Sequence, residues 1–189
     1  LMAFLREEHE GESGIVYCLS RRAAEATAEF LRKKGVHAGA YHAGMTSEQR
    51  AATQEAFNRD DLDVVCATVA FGMGIDKSNV RFVIHRDMPR SVEGYYQEVG
   101  RAGRDGSAAD CILFYSWADV MSLDRLLQSG APDGDDSLET ADQQRRAVRR
   151  MFDLADGAGC QWRRLTGHFS EEIGDCGRSC GYCGATLAT

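Results

Sequence analysis

The sequence predicts an α/β fold in which a parallel sheet is covered by helices on both faces. Two observations carry this prediction. Short apolar runs rich in β-branched residues recur along residues 1–130, and helical patterns alternate with them. Each run is also apolar at nearly every position, as expected of strands that are buried on both faces.

Five runs have the length and composition of strands. They are Gly14–Leu19, His37–Tyr41, Asp63–Ala67, Arg81–His85 and Cys111–Tyr115. Because helical segments lie between the strands, crossover connections can join them, and crossovers produce a parallel sheet.

Capping residues predict where the helices begin. Ser20 can cap a helix after the first strand, and Thr46 and Gln49 have the spacing of a capping box. Ser91 caps a later helix, and Ala118–Gln128 forms a closing one. In the first of these helices, the positions predicted to face the core are Ala24, Ala28, Phe30 and Leu31.

The composition changes after the closing helix. Residues 129–136, SGAPDGDD, form an acidic linker with Gly and Pro, and we expect a domain boundary there, between residues 1–130 and 131–189. The second domain is predicted to contain helices over Leu138–Asp156 and Gln161–Phe169. About fifty residues bury too little apolar surface to be stable alone, so a bound metal is expected to add stability.

Four cysteines near the C-terminal end have the spacing of a metal site. They are Cys160, Cys176, Cys180 and Cys183, separated by fifteen, three and two residues. Four thiolates can complete a tetrahedral shell around one zinc ion, and a full shell indicates a structural metal. Two disulfides are the alternative, which the lack of a secretion signal disfavours. The other three cysteines are predicted to be reduced core residues: Cys18, Cys66 and Cys111.

The overall composition limits the classes of function. A net charge of −7 argues against a broadly basic nucleic-acid binder, although it allows a protein that holds a strand through a few groups. No apolar run reaches the length of about 18 residues that spans a membrane, and no leader is present, so we expect a cytoplasmic protein without a membrane partner. The chain has no phosphate-binding loop and no acidic cluster for Mg²⁺, so it is not expected to bind a whole nucleotide by itself.

The segment Gln97–Gly106, QEVGRAGRDG, combines two arginines with three glycines. Arg101 and Arg104 are three residues apart, so on a helical turn both guanidinium groups can face one target. These planar, permanently charged groups suit a phosphate. A pair of surface arginines on a glycine-rich loop is the alternative interpretation.

Other candidate residues follow the predicted strands. Thr68, Gly74 and Asp76 lie in or beside a glycine-rich segment after the third strand, where ligands of open α/β sheets collect. His42 precedes a helix N-terminus, and Arg21 stands beside a cap. Each of these residues could instead be structural or solvated. One helix also carries four arginines that could meet a phosphate backbone or form a solvated face: Arg145, Arg146, Arg149 and Arg150.

Together these segments resemble one protein family. QEVGRAGRDG resembles motif VI of superfamily 2 helicases in the form typical of RecQ DNA helicases. ATVAFGMGIDK resembles motif V of that family, and GIVYCLSRR with AYHAG resembles its motif IV region. The cysteine cluster is similar to the zinc-binding module that follows the helicase core in RecQ proteins.

The resemblance implies a fold and a set of partners. Residues 1–130 would be the second of two RecA-like lobes, and residues 131–189 a helical-hairpin zinc-binding domain. The chain opens in what reads as the middle of a helix, so we expect a fragment whose first lobe carries the sites for ATP and Mg²⁺. The partners would be that first lobe and single-stranded or partly duplex DNA, and the activity ATP-dependent 3′→5′ unwinding in recombination and repair. Alone, the fragment is expected to be inactive.

The resemblance also implies roles for individual residues. Arg101 and Arg104 would reach the γ-phosphate of ATP as arginine fingers, and Gln97 would help couple that contact to motion. Asp76 would lie near the ribose, and Gly74 would be a second residue of the nucleotide site. The residues implied to hold single-stranded DNA are Ser20, Arg21, His42 and Thr68. The alternative is a binding module that holds DNA or donates its arginines without an ATPase activity of its own.

Overall fold

The structure, a computed structural model, describes residues 1–69, 77–128 and 141–186. The chain forms two compact units. The first comprises Leu1–Asp87 and Gln97–Phe114, and the second comprises Met88–Tyr96 and Tyr115–Thr189. The domain boundary expected near residue 130 lies outside the described residues and stays a prediction.

The elements follow the chain in an alternating order. They are α1 (Met2–Glu7), β1 (Gly14–Tyr17), α2 (Arg21–Lys33), β2 (Ala38–Tyr41), α3 (Ser47–Asn58), β3 (Val64–Ala67), β4 (Phe82–His85), α4 (Val92–Val99), β5 (Asp110–Leu113), α5 (Trp117–Gln128), α6 (Ala141–Asp156), α7 (Gln161–His168) and α8 (Gly181–Thr186). All five predicted strands are therefore present, each within one or two residues of its predicted start.

The five strands form one parallel sheet in the order β2-β3-β1-β4-β5. The central strand is β1, which is bonded to β3 on one side and to β4 on the other. Tyr17, the last residue of β1, lies in register with Ala67 of β3 and with His85 of β4. The predicted fold class is confirmed.

Alternate strand residues build two separate cores, one on each face of the sheet. On one face, α2 contributes Ala24, Ala28 and Leu31 against Val16 and its neighbours. On the other face, Phe57 of α3 packs with the residues that alternate with these: Ile15, Tyr17, Val65, Ala67 and Val83. Both faces are thus covered, which explains why β1, β3 and β4 are buried at every position.

The predicted caps are present. The Ser20 hydroxyl accepts a hydrogen bond from the amide of Ala23 at 3.2 Å. Thr46 and Gln49 form the reciprocal capping box at the start of α3. The amide of Gly94 donates to the hydroxyl of Ser91 at 3.1 Å, at the start of α4.

Two predicted core positions are wrong. Phe30 is 44% exposed because it falls outside the inward stripe of α2, where Thr27 takes the buried position instead. Cys111 is exposed because β5 is an edge strand that is bonded only to β4. Cys18 and Cys66 are buried as predicted.

The second unit is helical in its described part. Met151 and Val148 form the buried stripe of α6, and Leu165 is the buried residue of α7. The aromatic ring of Phe152 contacts those of Tyr115 and Trp117. The start of the helix predicted over Leu138–Asp156 lies outside the described residues, and Ala141, where α6 begins, is exposed. Among the helices of the described residues, none combines the length and apolarity needed to cross a membrane.

Candidate functional site

The two arginines of the Gln97–Gly106 segment lie in a turn that follows α4. The amide of Gly103 donates to the carbonyl of Val80 at 2.9 Å, so the turn is fixed to the residues that precede β4. Gly103 has a φ of +61°, and a Cβ there would lie 2.7 Å from the carbonyl oxygen of Ser107. This position therefore requires glycine.

The environments of the two arginines differ. Arg101 is 9% exposed, and its positive charge acts on the hydroxyl of Tyr17. Arg104 is exposed, and its Nε donates to the carbonyl of Gly100 at 3.2 Å. Gln97 is also exposed. The structure thus presents Arg104 at the surface and directs Arg101 into the sheet unit.

Tyr17 lies at the centre of a charged neighbourhood. Burial raises the pKa of Tyr17, the positive charges of Arg101 and Arg104 act in the lowering direction, and the negative charge of Glu98 acts with burial. The charges of Arg101, Arg104 and Glu98 are thus all close enough to the Tyr17 hydroxyl, at the end of β1, to affect its pKa.

An ion pair fixes the far end of the arginine turn. Nη2 of Arg81 lies 2.6 and 2.7 Å from the two carboxylate oxygens of Asp105, and Nη1 donates to the carbonyl of Ala108 at 3.0 Å. The hydrogen bond from Arg81 lowers the pKa of Asp105, and the amide of Ser107 adds to this effect. The turn is therefore held at both ends.

The residues expected to hold DNA follow three adjacent strands. Ser20 and Arg21 follow β1, His42 follows β2 and Thr68 follows β3, so all four lie at the same edge of the parallel sheet. Ser20 and Arg21 are exposed and Thr68 is half-buried. Gly74 and Asp76, expected in the nucleotide site, lie outside the described residues.

Gly44 allows Arg21 and His42 to approach each other. A Cβ on Gly44 would lie 3.1 Å from Cδ of Arg21 and 3.2 Å from Nδ1 of His42. His42 is buried, and its Nε2 lies 2.9 Å from a carboxylate oxygen of Glu25. His42 is thus oriented by a carboxylate, while Arg21 stays at the surface beside it.

The four C-terminal cysteines form a cluster. Their Sγ atoms all lie within 4.8 Å of one another, and among the described residues they are the one group of possible metal ligands of this kind. Metal–sulfur bonds of about 2.3 Å would place the corners of a tetrahedron about 3.8 Å apart, which this cluster can accommodate. None of the seven cysteines forms a disulfide.

Backbone amides stabilise thiolates in this cluster. The amide of Cys176 donates to Sγ of Cys160 at 3.3 Å, and that of Cys183 donates to Sγ of Cys180 at 3.5 Å. Burial alone would raise the pKa of Cys180, but the amides of Cys183 and Gln161 hold it at about 6. A metal binds the thiolate, so these donors fit a metal centre.

Residues 1–106 match the model of the helicase conserved C-terminal domain, which is more than half of the chain. The chain belongs to this family. Its fold is that of the RecA-like helicase lobes: it superposes on a DEAD box protein from Methanococcus jannaschii with a TM-score of 0.56 and 27% identity, over 68% of this chain and 36% of that one.

Individual relatives confirm the resemblance to RecQ helicases. The chain is 42% identical over 187 residues to the ATP-dependent DNA helicase hus2/rqh1 of Schizosaccharomyces pombe, covering 97% of this chain and 14% of that protein. It is 45% identical over 174 residues to the ATP-dependent DNA helicase RecQ of Pasteurella multocida, covering 92% of this chain and 27% of that one. The chain thus spans about a quarter or less of the length of these relatives.

Sequence reasoning missed an anchor in this helicase C-terminal domain. Lys77 is buried, its Nζ lies 2.6 Å from a carboxylate oxygen of Asp60, and it stands 5.1 Å over the ring of Phe57. Asp60 has a φ of 62° and also accepts from the hydroxyl of Ser13 at 3.1 Å. The left-handed backbone at Asp60 leaves no mark in the sequence pattern, so nothing there signals this pair.

Sequence reasoning also missed the polar residues behind the arginine turn. These are Tyr17, His85 and Glu98, which lie on the sheet face that carries α3. One signal was available: His85 ends the run RFVIH, and a polar residue at the end of a buried strand requires a buried partner.

Proposed function

We propose that this helicase C-terminal domain is the second motor lobe of an ATP-dependent 3′→5′ DNA helicase. The observation that carries the proposal is the exposure of Arg104 on a turn fixed to the residues before β4, while Ser20, His42 and Thr68 follow the carboxyl ends of strands of the same sheet. Because one sheet carries both Arg104 and the residues proposed to bind DNA, a change at the bound nucleotide can be transmitted to the bound DNA.

Arg104 acts on ATP that is bound by the first lobe of the same protein, which supplies the phosphate loop and Mg²⁺. Its guanidinium reaches the γ-phosphate when the lobes close, and its charge stabilises the transition state. Contacts of this kind are worth roughly 10³–10⁵ in turnover in related phosphoryl transfer. Gln97, beside the same turn, helps couple the contact to motion. Asp76 contacts the ribose, and Gly74 is a second residue of the nucleotide site.

Single-stranded DNA lies along the edge formed by Ser20, Arg21, His42 and Thr68. Hydroxyl groups and one exposed guanidinium bind phosphates without reading bases, as a translocating motor requires. The protein has a net charge of −7, so binding depends on these few groups rather than on a basic surface. Unwinding by such a motor serves recombination and repair of DNA in the cytoplasm.

Cys160, Cys176, Cys180 and Cys183 hold one zinc ion in a structural site. Four sulfur ligands leave no open coordination position for water or substrate, so the ion supplies stability and no chemistry. The N–H donors to Cys160 and Cys180 support this assignment, because they stabilise the charge of the bound thiolates.

The test of the proposed function is Arg104→Ala in the ATP-hydrolysing protein that contains this chain. Hydrolysis should fall by about 10³-fold or more, because the transition-state charge loses its partner, while DNA affinity stays near that of the wild type. Arg59→Ala is the matched control, since Arg59 is an exposed arginine of the same unit that pairs with Glu55. DNA-stimulated ATP turnover and DNA binding by fluorescence anisotropy are the measurements.

Two other outcomes would redirect the proposal. Wild-type turnover in Arg104→Ala would remove the arginine-finger assignment. DNA binding without ATP hydrolysis in any form of the protein would favour the alternative, a module that binds DNA or donates its arginines to another protein.

A further inference from the structure

A buried polar pair lies behind the arginine turn. Nε2 of His85 and a carboxylate oxygen of Glu98 are 2.8 Å apart, and the two residues are 1% and 8% exposed. His85 is the last residue of β4, and Glu98 lies in the last turn of α4, just before the two arginines. The carbonyl of Glu98 accepts from the amide of Arg101 at 3.3 Å. The end of β4 is therefore joined by side chains to the start of the arginine turn.

Asp87, two residues after His85, contacts the loop between β1 and α2. One of its carboxylate oxygens accepts from the amide of Leu19 at 2.9 Å. Leu19 directly precedes Ser20 and Arg21, which the proposed function assigns to DNA. Asp87 thus holds the loop that carries these two residues from the sheet to the start of α2.

Arg86 lies between His85 and Asp87 and is bonded to the central strand. Its amide donates to the carbonyl of Tyr17 at 3.0 Å, which continues the ladder between β4 and β1. The rings of His85 and Tyr17 are also stacked, with centroids 5.2 Å apart and planes 17° apart. Three consecutive residues are thus bonded in turn to α4, to β1 and to the loop after β1. A displacement at the end of α4 can therefore reach that loop through a short stretch of backbone.

Stability alone does not explain the buried pair. Burial removes both side chains from water, so the net gain from their hydrogen bond is small. Val83, two residues before His85 on the same sheet face, packs in an apolar core that also contains Ile15. An apolar pair in such a position is often as stable or more so. A hydrogen bond differs from apolar packing in being directional, so this pair fixes where Glu98 lies relative to the sheet.

We propose that residues 85–87 couple the arginine turn to the loop that carries the DNA-holding residues. His85 and Asp87 are positioning residues: the first holds the turn through Glu98, and the second holds the loop through Leu19. DNA bound at the loop favours one position of residues 85–87, and that position sets the arginine turn for ATP hydrolysis. The proposal rests on the proposed function and deepens it, because it names the residues through which DNA binding regulates hydrolysis.

Asp87→Ala in the ATP-hydrolysing protein tests the loop side of this coupling. It removes the acceptor of the Leu19 amide and leaves the side chains of the arginine turn in place. We expect ATP hydrolysis without DNA to stay within about twofold of the wild-type rate. The factor by which a saturating single-stranded oligonucleotide raises that rate should fall about fivefold or more. An aspartate with a purely structural role would lower the melting temperature and leave this factor unchanged, which would overturn the proposal.

Asp63→Ala is the matched control. Asp63 also accepts from a backbone amide beside a strand, that of His37 at 3.3 Å, but it lies at the amino ends of β2 and β3. Its substitution should leave the stimulation by DNA at the wild-type value. Asp87→Asn is the conservative variant, because its side-chain oxygen still accepts from Leu19, and it should retain most of the stimulation. Equal losses in Asp63→Ala and Asp87→Ala would overturn the proposal, because they would reflect general loosening of the sheet unit.

His85→Phe tests the side of the coupling that faces the arginine turn. The phenyl ring keeps the contact with Tyr17 and loses the bond to Glu98. If both positioning residues act together, combining this change with Asp87→Ala should reduce the stimulation no further than the more damaging single change does. His85→Gln supplies an amide N–H in place of Nε2 and should restore part of the stimulation. Additive losses would show two independent effects and overturn the proposal.

Amide hydrogen exchange in the 189-residue chain separates this proposal from the proposed function, because it requires neither ATP nor DNA. In Glu98→Leu, the amide of Leu19 should exchange about threefold faster or more, although its bond comes from Asp87 and not from Glu98. The amide of Val65, in the middle of β3, reports global opening and should change less. Unchanged exchange at Leu19, or equal acceleration at Val65, would overturn the coupling even if the helicase function held. Wild-type turnover in Arg104→Ala would instead remove the proposed function and leave this result standing.

Discussion

The sheet unit and the cysteine region, residues 141–186, are stabilised in different ways. In the sheet unit, three strands are buried at every position and two apolar cores cover the two faces. Of the six buried residues in the cysteine region, three are cysteines of the cluster, and the others are Val148, Met151 and Leu165. The sheet unit is therefore stabilised by apolar burial, whereas the cysteine region buries few apolar side chains and has a cluster of four thiols that could hold a metal ion.

This contrast indicates which changes each region tolerates. A densely packed sheet is sensitive to the volume of single side chains, because neighbours on both faces are fixed. A region with few buried apolar side chains is less sensitive to volume but sensitive to loss of its ligand. Each of the following changes tests what stabilises the sheet unit, the cysteine region or both.

The largest effect is expected from removing the zinc ion that we propose for the cysteine cluster. Metal binding contributes about 10–16 kcal/mol in small zinc domains, so a strong chelator, or Cys180→Ser, should make residues 141–186 susceptible to protease. The sheet unit should survive the same digestion. Limited proteolysis with mass spectrometry measures both regions at once. Cys111→Ser, an exposed cysteine outside the cluster, is the control, and unchanged digestion of Cys180→Ser would contradict a structural metal.

An added methyl group should have the next largest effect. A Cβ on Gly14 would lie 2.0 Å from the ring of Phe82, which is fully buried, so Gly14→Ala should lower the free energy of unfolding by about 1–3 kcal/mol. By contrast, Gly167 of α7 has no atom within 4 Å of its Cβ position, so Gly167→Ala should be neutral or stabilising by up to about 1 kcal/mol. Thermal melts of both variants compare the regions, and equal losses would contradict the contrast in packing.

The smallest effect is expected at the surface of the sheet unit, in the response to acid. The hydrogen bond from Arg81 holds the pKa of Asp105 below its unfolded value, so this pair stabilises the fold above about pH 4 and its contribution is lost as the pH falls further. In Asp105→Asn, the free energy of unfolding should therefore depend less on pH below about pH 4 than it does in the wild type. Arg81→Gln should do the same, and the double variant should add nothing. A wild-type slope in Asp105→Asn, measured by urea titration at several pH values, would exclude this contribution.

The sequence predicts the features that local patterns encode. Apolar runs located all five strands, and the residues that cap α2, α3 and α4 were identified because a capping hydroxyl accepts from a backbone amide only three residues further on. The spacing of the cysteines predicted a cluster because closely spaced ligands must lie near one another. These signals do not depend on how the rest of the chain folds.

The features that the sequence did not reveal depend on distant contacts. Arg101 and Arg104 look alike in the sequence, yet Arg101 is buried in the fold and Arg104 is exposed. Lys77 is anchored by Asp60, whose backbone conformation the sequence does not show. Cys111 was placed in the core because an edge strand and a central strand have similar composition.

The strand order also determines when each strand can pair while the chain is being synthesised. The central strand β1 is made first, yet its partners begin at Val64 and Phe82. About 50 residues must follow β1 before β3 is complete, which takes about 2.5–10 s at typical rates of synthesis. During that interval the apolar run GIVY has no sheet to join and is open to aggregation or to a chaperone. The strand at the centre of the finished sheet is thus the one that remains unpaired for longest during synthesis.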